Sequence, residues 1–197
     1  MAKSITDGVS TIVLDVGGVL FLDVILRKIR DLSDRYGLNE WDVQKVRWEL
    51  RASVDLGERS EAEFWTTVLA QCGVTAEPED LGIAEYVVEV PGVREALRML
   101  ADRFRLAILS NDSEELSAMR RSRIEVPIAE AVISAEVGAM KPDHAIYRIL
   151  LERLAAEADE CLFIDDRMEN VEAAREVGMR ALHFTTWDEA LSEMGLT

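Results

Sequence analysis

Carboxylate side chains follow two of the apolar runs in this 197-residue chain. Asp15 comes after Thr-Ile-Val-Leu, and the adjacent pair Asp165 and Asp166 completes the run Cys-Leu-Phe-Ile-Asp-Asp. A single aspartate at the end of a strand is often only a turn or capping residue. Two neighbouring acids on an apolar strand are different, because they repel each other unless a cation lies close to them. The pair therefore indicates a cation-binding site.

Two more polar stretches follow apolar runs. Ser110, Asn111 and Asp112 come after Leu-Ala-Ile-Leu, and Lys141 lies in the loop sequence Gly-Ala-Met-Lys-Pro-Asp. Taken singly, the first is typical of a helix N-terminus and the second of an ordinary loop. All four stretches follow predicted strands, however, and open α/β sheets bind ligands at the carboxyl ends of their strands. Their combination favours a catalytic site over four unrelated turns.

The elements that would position these residues have the pattern of an α/β fold. Continuous apolar runs are typical of parallel strands that are covered on both faces. Helical spacing of apolar residues separates the later runs, over 93–100, 144–154 and 170–178. We therefore predict a Rossmann-like parallel sheet flanked by helices. The predicted strands are 11–16, 105–110, 130–134, 161–166 and 181–184.

The stretch 22–89 has a different pattern, since it contains helical signals and no clear strand. Ser60 and Glu63 have the spacing of a capping box, which marks the start of a helix. We predict a helical domain over 22–89, inserted after the first strand of an α/β domain that consists of 1–21 and 90–197.

Three of the four tryptophans, Trp41, Trp48 and Trp65, lie in this helical stretch. Apolar residues at helical spacing usually face a core. We therefore expect these side chains in the core of the helical domain, and a role in a substrate pocket is the minor alternative.

The composition limits the partners of the chain. Its net charge of −16 repels nucleic acid and anionic membranes, so we expect neither as a partner. Cys72 and Cys161 lie too far apart in sequence to form a typical metal motif. The first residues do not have the pattern of a signal peptide, and no apolar run is long enough to span a membrane. These features predict a cytoplasmic protein, and they leave its oligomeric state open.

Together the four stretches resemble the haloacid dehalogenase superfamily of aspartate-nucleophile hydrolases. The segments that carry the resemblance are LDVGGVL, ILSND, MKPD and FIDDRMEN, in this order. The helical insertion falls where this superfamily inserts its cap domain. The chain is most similar to the branch that holds bacterial sugar-phosphate phosphatases and the N-terminal phosphatase domain of epoxide hydrolases. The resemblance extends over nearly the whole sequence.

The resemblance implies a metal-dependent nucleophile. Asp15 would attack phosphorus and carry an aspartyl-phosphate intermediate. Mg²⁺ would be the cofactor, held by Asp15, the backbone carbonyl of Gly17 and Asp166. Asp165 would support this metal site from beside or behind, and Asn170 would orient the acid pair.

The other motifs imply residues that bind the substrate. The Ser110 hydroxyl and the Asn111 backbone N–H would hold the phosphoryl oxygens. Lys141 would balance the negative charge of Asp15 and the phosphoryl group. His144 and His183 are expected to have no catalytic role.

Position 17 departs from the pattern of the superfamily. Its phosphatases usually have a second aspartate two residues after the nucleophile, which protonates the leaving oxygen and later activates water. Here that residue is Gly17, and a general acid–base group contributes about 10²- to 10⁴-fold in rate. Either the substrate has a good leaving group, as in an anomeric sugar phosphate, or another acid acts instead. Asp23 and Glu58 are the best candidates for that acid.

The sequence thus predicts an Mg²⁺-dependent phosphatase that acts on a small phosphorylated metabolite, such as a sugar phosphate. A 2-haloacid dehalogenase is the first alternative, because its halide leaving group needs no proton. The adjacent acids argue against it, since that reaction needs no metal. A non-catalytic binding protein on the same fold is the second alternative, because Gly17 removes the acid–base group.

Overall fold

The computed structural model describes residues 4–23, 25–82 and 87–196. Five parallel strands form one sheet in the order β3-β2-β1-β4-β5. This confirms the predicted parallel α/β sheet. The strands are β1 (Thr11–Leu14), β2 (Arg105–Ser110), β3 (Glu130–Ile133), β4 (Cys161–Asp165) and β5 (Arg180–His183).

Nine α-helices are seen in the described part of the chain. Asn39 caps one of them by accepting a hydrogen bond from the Trp41 N–H, and Ser60 and Glu63 form the predicted capping box of another. No helix within the described residues is long and apolar enough to cross a membrane. The helices are α1 (Ile25–Tyr36), α2 (Glu40–Asp55), α3 (Glu61–Gln71), α4 (Val93–Ala101), α5 (Glu114–Arg121), α6 (Ser134–Val137), α7 (His144–Leu154), α8 (Met168–Glu176) and α9 (Trp187–Glu193).

Helices cover both faces of the sheet. In β1, Ile12 and Leu14 belong to the apolar layer shared with α4 and α9. Val13 points to the opposite layer, which it shares with α7 and α8. Because successive side chains of a strand alternate between faces, a continuous apolar run is what a sheet covered on both sides requires. The apolar runs of β1 and β4 are accordingly buried throughout.

The strand order brings the polar strand ends together. β1 pairs with β2 on one side and with β4 on the other, so that Leu14 lies opposite both Ile108 and Ile164. The ladder continues one residue further, where the Asp15 N–H donates to the Ile164 carbonyl at 2.9 Å. The order of the strands along the chain reverses between β1 and β4, and ligands bind at such a switch point in open α/β sheets.

Helices α1, α2 and α3 follow β1 and have an apolar cluster of their own, which includes Ile29, Val43 and Trp65. The segment that leads from the sheet to these helices lies next to the segment that returns from them. The Leu22 N–H donates to the Val88 carbonyl at 2.8 Å, and the Val90 N–H donates to the Leu20 carbonyl at 3.0 Å. The exact division into domains at 21/22 and 89/90 remains a prediction.

The expectation for the tryptophans is correct for Trp65 and wrong for the other two. Trp65 is fully buried, whereas Trp41 is 75% and Trp48 is 60% exposed. The reason lies in the phase of α2, which buries Val43. At 100° per residue, Trp41 and Trp48 lie about 140–160° around the helix from that position. Trp48 packs instead against the guanidinium of Arg47, 5.3 Å from the ring centre.

Candidate active site

A buried lysine joins the carboxylates of β1 and β4. The Lys141 Nζ lies 2.7 Å from Asp15 Oδ1 and 2.7 Å from Asp165 Oδ2. Lys141, Asp15 and Asp165 are all buried. The structure thus brings together three of the residues that the sequence singled out, although they are up to 150 positions apart.

The loop that carries Lys141 is fixed by the side chain of Asn111. The Asn111 Nδ2 donates to the Lys141 carbonyl at 2.8 Å, and the Lys141 N–H donates to Asn111 Oδ1 at 2.8 Å. The peptide bond between Lys141 and Pro142 is cis. The sequence predicted a role for the Asn111 backbone only. This pair of hydrogen bonds adds that its side chain positions the lysine.

Asp165 accepts several hydrogen bonds besides the one from Lys141. Asn170 Nδ2 lies 3.0 Å from each of its two carboxylate oxygens, and the Arg167 N–H donates to Oδ1 at 2.8 Å. These donors hold the carboxylate in one orientation. Asn170 thus contacts Asp165 of the acid pair, and the supporting part of Asp165 at a metal site stays a prediction.

Asp166 completes a group of three carboxylates. Asp15, Asp165 and Asp166 each have a potential ligand atom within 4.8 Å of the others. Gly18 makes room for this approach, because a Cβ at that position would lie 2.2 Å from Asp166 Oδ2. The backbone φ of Gly18 is 81°, a value that residues with a Cβ rarely adopt. This role of Gly18 does not follow from the sequence, although the double glycine is visible there.

The electrostatics of the group favour a cation. Burial raises the pKa of Asp15 to about 7, while Lys141 opposes this shift and Asp165 adds to it. Burial and Asp165 also raise the pKa of Asp166. Burial lowers the pKa of Lys141, but the two aspartates outweigh it and raise that pKa above its ordinary value. One lysine does not balance three carboxylates, so a divalent cation would stabilise their ionised forms.

The loop after β2 lies beside this group. Ser110 is buried at the end of the strand, and Ser113 caps α5 by accepting a hydrogen bond from the Leu116 N–H at 3.2 Å. Asp112 is also buried, and Arg120 Nη1 donates to its Oδ2 at 2.9 Å. Burial raises the pKa of Asp112 to about 6, against the opposing effect of the Arg120 charge.

Gly17 itself lies open towards α5. A Cβ at Gly17 would have Arg120 Nη1 as its nearest neighbour, at 4.0 Å. Its φ does not lie in the left-handed region, unlike that of Gly18. Arg120 is not recognisable from the sequence, because nothing in Ala-Met-Arg-Arg-Ser-Arg distinguishes this arginine from its neighbours.

The remaining candidates form no hydrogen bond or ion pair with the three carboxylate groups. Asp23 is exposed and accepts a hydrogen bond from the Ile25 N–H, and Glu58 is exposed on the loop after α2. Neither forms a hydrogen bond or ion pair with Asp15 or Lys141. His144 pairs with Glu176 on the surface. His183 donates to the Asp166 carbonyl at 2.9 Å, which places it behind the site.

Comparison with known proteins gives a consistent assignment. The sequence profile of haloacid dehalogenase-like hydrolases matches residues 9–178. A phosphorylated carbohydrates phosphatase of Thermotoga maritima is 33% identical over 103 residues, which are 51% of this chain and 48% of that protein. A phosphatase of Mycobacterium tuberculosis is 27% identical over 188 residues, which are 88% of this chain and 86% of that protein.

The first curated relatives are longer than the region they share with this chain. The chain covers 48% of the Thermotoga protein and only 22% of the bifunctional epoxide hydrolase 2 of Sus scrofa, to which it is 32% identical over 121 residues. It therefore spans less than half the length of these relatives.

A solved structure shows the same fold. An HAD family enzyme from Bacteroides thetaiotaomicron, in complex with magnesium and inorganic phosphate, superposes with a TM-score of 0.74 at 17% identity. The match covers 90% of this chain and 95% of that one. Since the profile spans most of the sequence and the sheet agrees with this fold, the chain belongs to the haloacid dehalogenase-like hydrolases.

Proposed function

We propose that the protein is an Mg²⁺-dependent phosphatase of small phosphorylated metabolites, with Asp15 as its nucleophile. The observation that carries this proposal is the Lys141 ammonium group, which lies 2.7 Å from both Asp15 and Asp165 next to a third carboxylate. Phosphoryl transfer depends mainly on positioning and on neutralising charge, and this arrangement supplies both. The names of the Thermotoga and Mycobacterium relatives support a phosphatase.

The carboxylate group fits a hard divalent cation. Asp15, Asp166 and the Gly17 carbonyl would hold Mg²⁺, and Asp165 would hold its neighbours in place. Oxygen ligands suit this ion, and Mg²⁺ commonly uses only one or two carboxylates together with phosphate and water. When bound, it would neutralise the phosphoryl oxygens and stabilise the charge on them. The magnesium and phosphate bound to the Bacteroides enzyme support this choice of ion.

Each residue then has a defined part in the reaction. The Asp15 carboxylate attacks phosphorus, and its contact with Lys141 favours the ionised form and orients it. Lys141 also offsets the charge that builds up on the phosphoryl group. The Ser110 hydroxyl and the Asn111 N–H bind phosphoryl oxygens at the start of the loop before α5. Water then attacks phosphorus of the aspartyl phosphate and releases inorganic phosphate.

Turnover of defined esters tests this function. Nitrophenyl phosphate and a panel of phosphorylated metabolites, sugar phosphates first, are assayed with Mg²⁺ and with chelator, alongside a short-chain 2-haloacid. We expect phosphate release only with Mg²⁺, and no release of halide. Release of halide without metal would instead support the dehalogenase alternative. Binding of phosphate esters with no turnover would support the binding-protein alternative.

A further inference from the structure

Arg120 occupies the space that the side chain of residue 17 leaves free. Apart from its two chain neighbours, the nearest described atom to a Cβ at Gly17 is Arg120 Nη1, at 4.0 Å, and no other such atom lies within that distance. Gly17 is two residues from Asp15 in the loop that leaves β1. A guanidinium therefore faces the position at which related phosphatases carry their acid–base carboxyl group.

Among the described residues, Asp112 is the hydrogen-bond partner of the Arg120 guanidinium. Its Nη1 donates to Asp112 Oδ2 at 2.9 Å, and Asp112 is fixed in turn by the hydrogen bond from its own N–H to the Ser134 hydroxyl at 3.0 Å. The Arg120 Nε is buried without a hydrogen-bond partner among the described residues. No described residue accepts a hydrogen bond from its Nη2 either.

Unpaired N–H donors on a mostly buried arginine destabilise the fold unless a ligand accepts hydrogen bonds from them. The Arg120 side chain is only 12% exposed, and buried polar atoms are normally hydrogen-bonded. Nη1 is the atom nearest to Gly17, and besides the N–H that it donates to Asp112 it carries a second N–H, which is suited to bind an oxygen of a ligand. The ligand atom nearest to this position would belong to the phosphate ester at Asp15.

We propose that Arg120 is a catalytic residue that binds the bridging oxygen of the phosphate ester and stabilises the charge that develops on it. This inference rests on the proposed phosphatase function. It assigns to Arg120 the charge-stabilising part of the work for which related enzymes use a carboxyl group at position 17. It does not assign proton transfer, because arginine remains protonated at all ordinary pH values.

The first chemical step transfers the phosphoryl group to Asp15. A bond forms between Asp15 Oδ and phosphorus, and the bond from phosphorus to the bridging oxygen breaks. The electron pair stays on the bridging oxygen, whose negative charge the guanidinium stabilises until a water molecule protonates it. In the second step water attacks phosphorus, the Asp15 carboxylate is released, and the proton that this water loses neutralises the hydroxide left by the first step. Arg120 acts in the first step only.

The test compares two esters whose leaving groups differ in basicity. The value of kcat/KM is measured for nitrophenyl phosphate and for a simple alkyl phosphate, because this constant reports the steps through phosphoryl transfer. The variant is Arg120→Gln combined with Asp112→Asn, since the amide pair keeps a hydrogen bond and leaves no buried charge unpaired. Arg121→Gln is the matched control, because Arg121 pairs with Glu136 on the surface.

We expect the paired variant to fold and to lose about 10²-fold in kcat/KM for the alkyl phosphate, as for the loss of one preorganised donor. The nitrophenyl ester should lose less than about tenfold, since its leaving group needs little stabilisation. The Arg121 control should keep the wild-type ratio of the two esters. An equal loss for both esters, or no loss for either, would overturn the proposal while leaving the phosphatase function intact. Absence of turnover of any phosphate ester by the wild type contradicts the phosphatase function itself, and Arg120 then has no such role.

Discussion

Two adjacent glycines follow β1, and the structure restricts only the second of them to glycine. Gly18 has a φ of 81° and lies so close to Asp166 that a Cβ would overlap its carboxylate. Gly17 has neither restriction, because its nearest neighbour would be 4.0 Å away. The backbone and the contact with Asp166 therefore require glycine at position 18. Neither of these constraints requires glycine at position 17, where its effect is the absence of a carboxyl group.

Gly18→Ala should destabilise the fold and weaken Mg²⁺ binding. The left-handed backbone alone costs a residue with a Cβ about 1–2 kcal/mol, and the new methyl group would push Asp166 away. Urea unfolding and an Mg²⁺ titration measure the two effects. Gly17→Ala is the control, and we expect it to change the stability by less than about 0.5 kcal/mol. Equal behaviour of the two variants would show that the contact with Asp166 does not matter.

Gly17→Asp should fold like the wild type and should favour substrates with poor leaving groups. The new carboxyl group would lie beside Arg120. The positive charge of Arg120 would lower the pKa of this carboxyl group and so make it a less effective proton donor. We therefore expect the gain in kcat/KM for alkyl phosphates to be larger when Arg120→Gln and Asp112→Asn are also present. The ratio of alkyl to nitrophenyl turnover in the four combinations measures this coupling. A gain that is the same in both backgrounds would exclude contact between residues 17 and 120.

The sequence predicted the residues of this site that end strands and could not predict those that reach it through tertiary contact. Asp15 and the acid pair were visible because buried apolar runs end on them, and Lys141 was visible because the loop sequence Met-Lys-Pro-Asp carries part of the family resemblance. Arg120 was not, because its position depends on how α5 packs beside the loop after β1. The role of the Asn111 side chain was missed for the same reason, since its partner is 30 residues away.

At the scale of elements, the loops after β2 and β3 are joined by one side chain. The two hydrogen bonds between Asn111 and the backbone of Lys141 connect the phosphoryl-binding loop to the lysine loop. Their union keeps Lys141 within reach of both aspartates.

Asn111→Ala should therefore reduce activity more than its loss of stability explains. Two net hydrogen bonds are worth about 1–3 kcal/mol, and the freed lysine loop should lower kcat by about tenfold or more at a temperature where the variant is folded. Asn39→Ala is the control, because it removes the cap of α2 and costs about 1 kcal/mol without touching the site. If both variants retain wild-type kcat, the lysine loop does not depend on Asn111.

Element prediction failed where it depended on helix rotation. The order of strands and helices followed from apolar runs and capping signals, such as Ser60 with Glu63. The burial of Trp41 and Trp48 did not follow, because the rotation of α2 is set by its packing against α1 and α3. A helix with a weakly amphipathic sequence leaves that rotation to tertiary contacts.

At the scale of the whole molecule, a chain of net charge −16 holds three carboxylates at one point with a single lysine. Repulsion among the surface charges and repulsion among the three carboxylates both destabilise the folded state. A divalent cation would relieve the local part of it and would bind the folded state only.

Mg²⁺ should accordingly raise the melting temperature, by an amount that grows with its concentration above the dissociation constant. A thermal melt in millimolar MgCl₂ is compared with one in NaCl of equal ionic strength, which controls for general screening. Asp166→Asn should lose most of the difference. If MgCl₂ and matched NaCl give the same melting temperature for the wild type, the metal site is wrong.

We propose that Asp15 accepts the phosphoryl group in a metal-dependent reaction. Beryllium fluoride, which mimics a phosphoryl group on an aspartate, tests it directly when its binding is followed by ¹⁹F NMR. We predict a bound signal in the wild type with Mg²⁺, and none after addition of chelator or in Asp15→Asn. A bound signal in Asp15→Asn, or one that persists without metal, would contradict the claim.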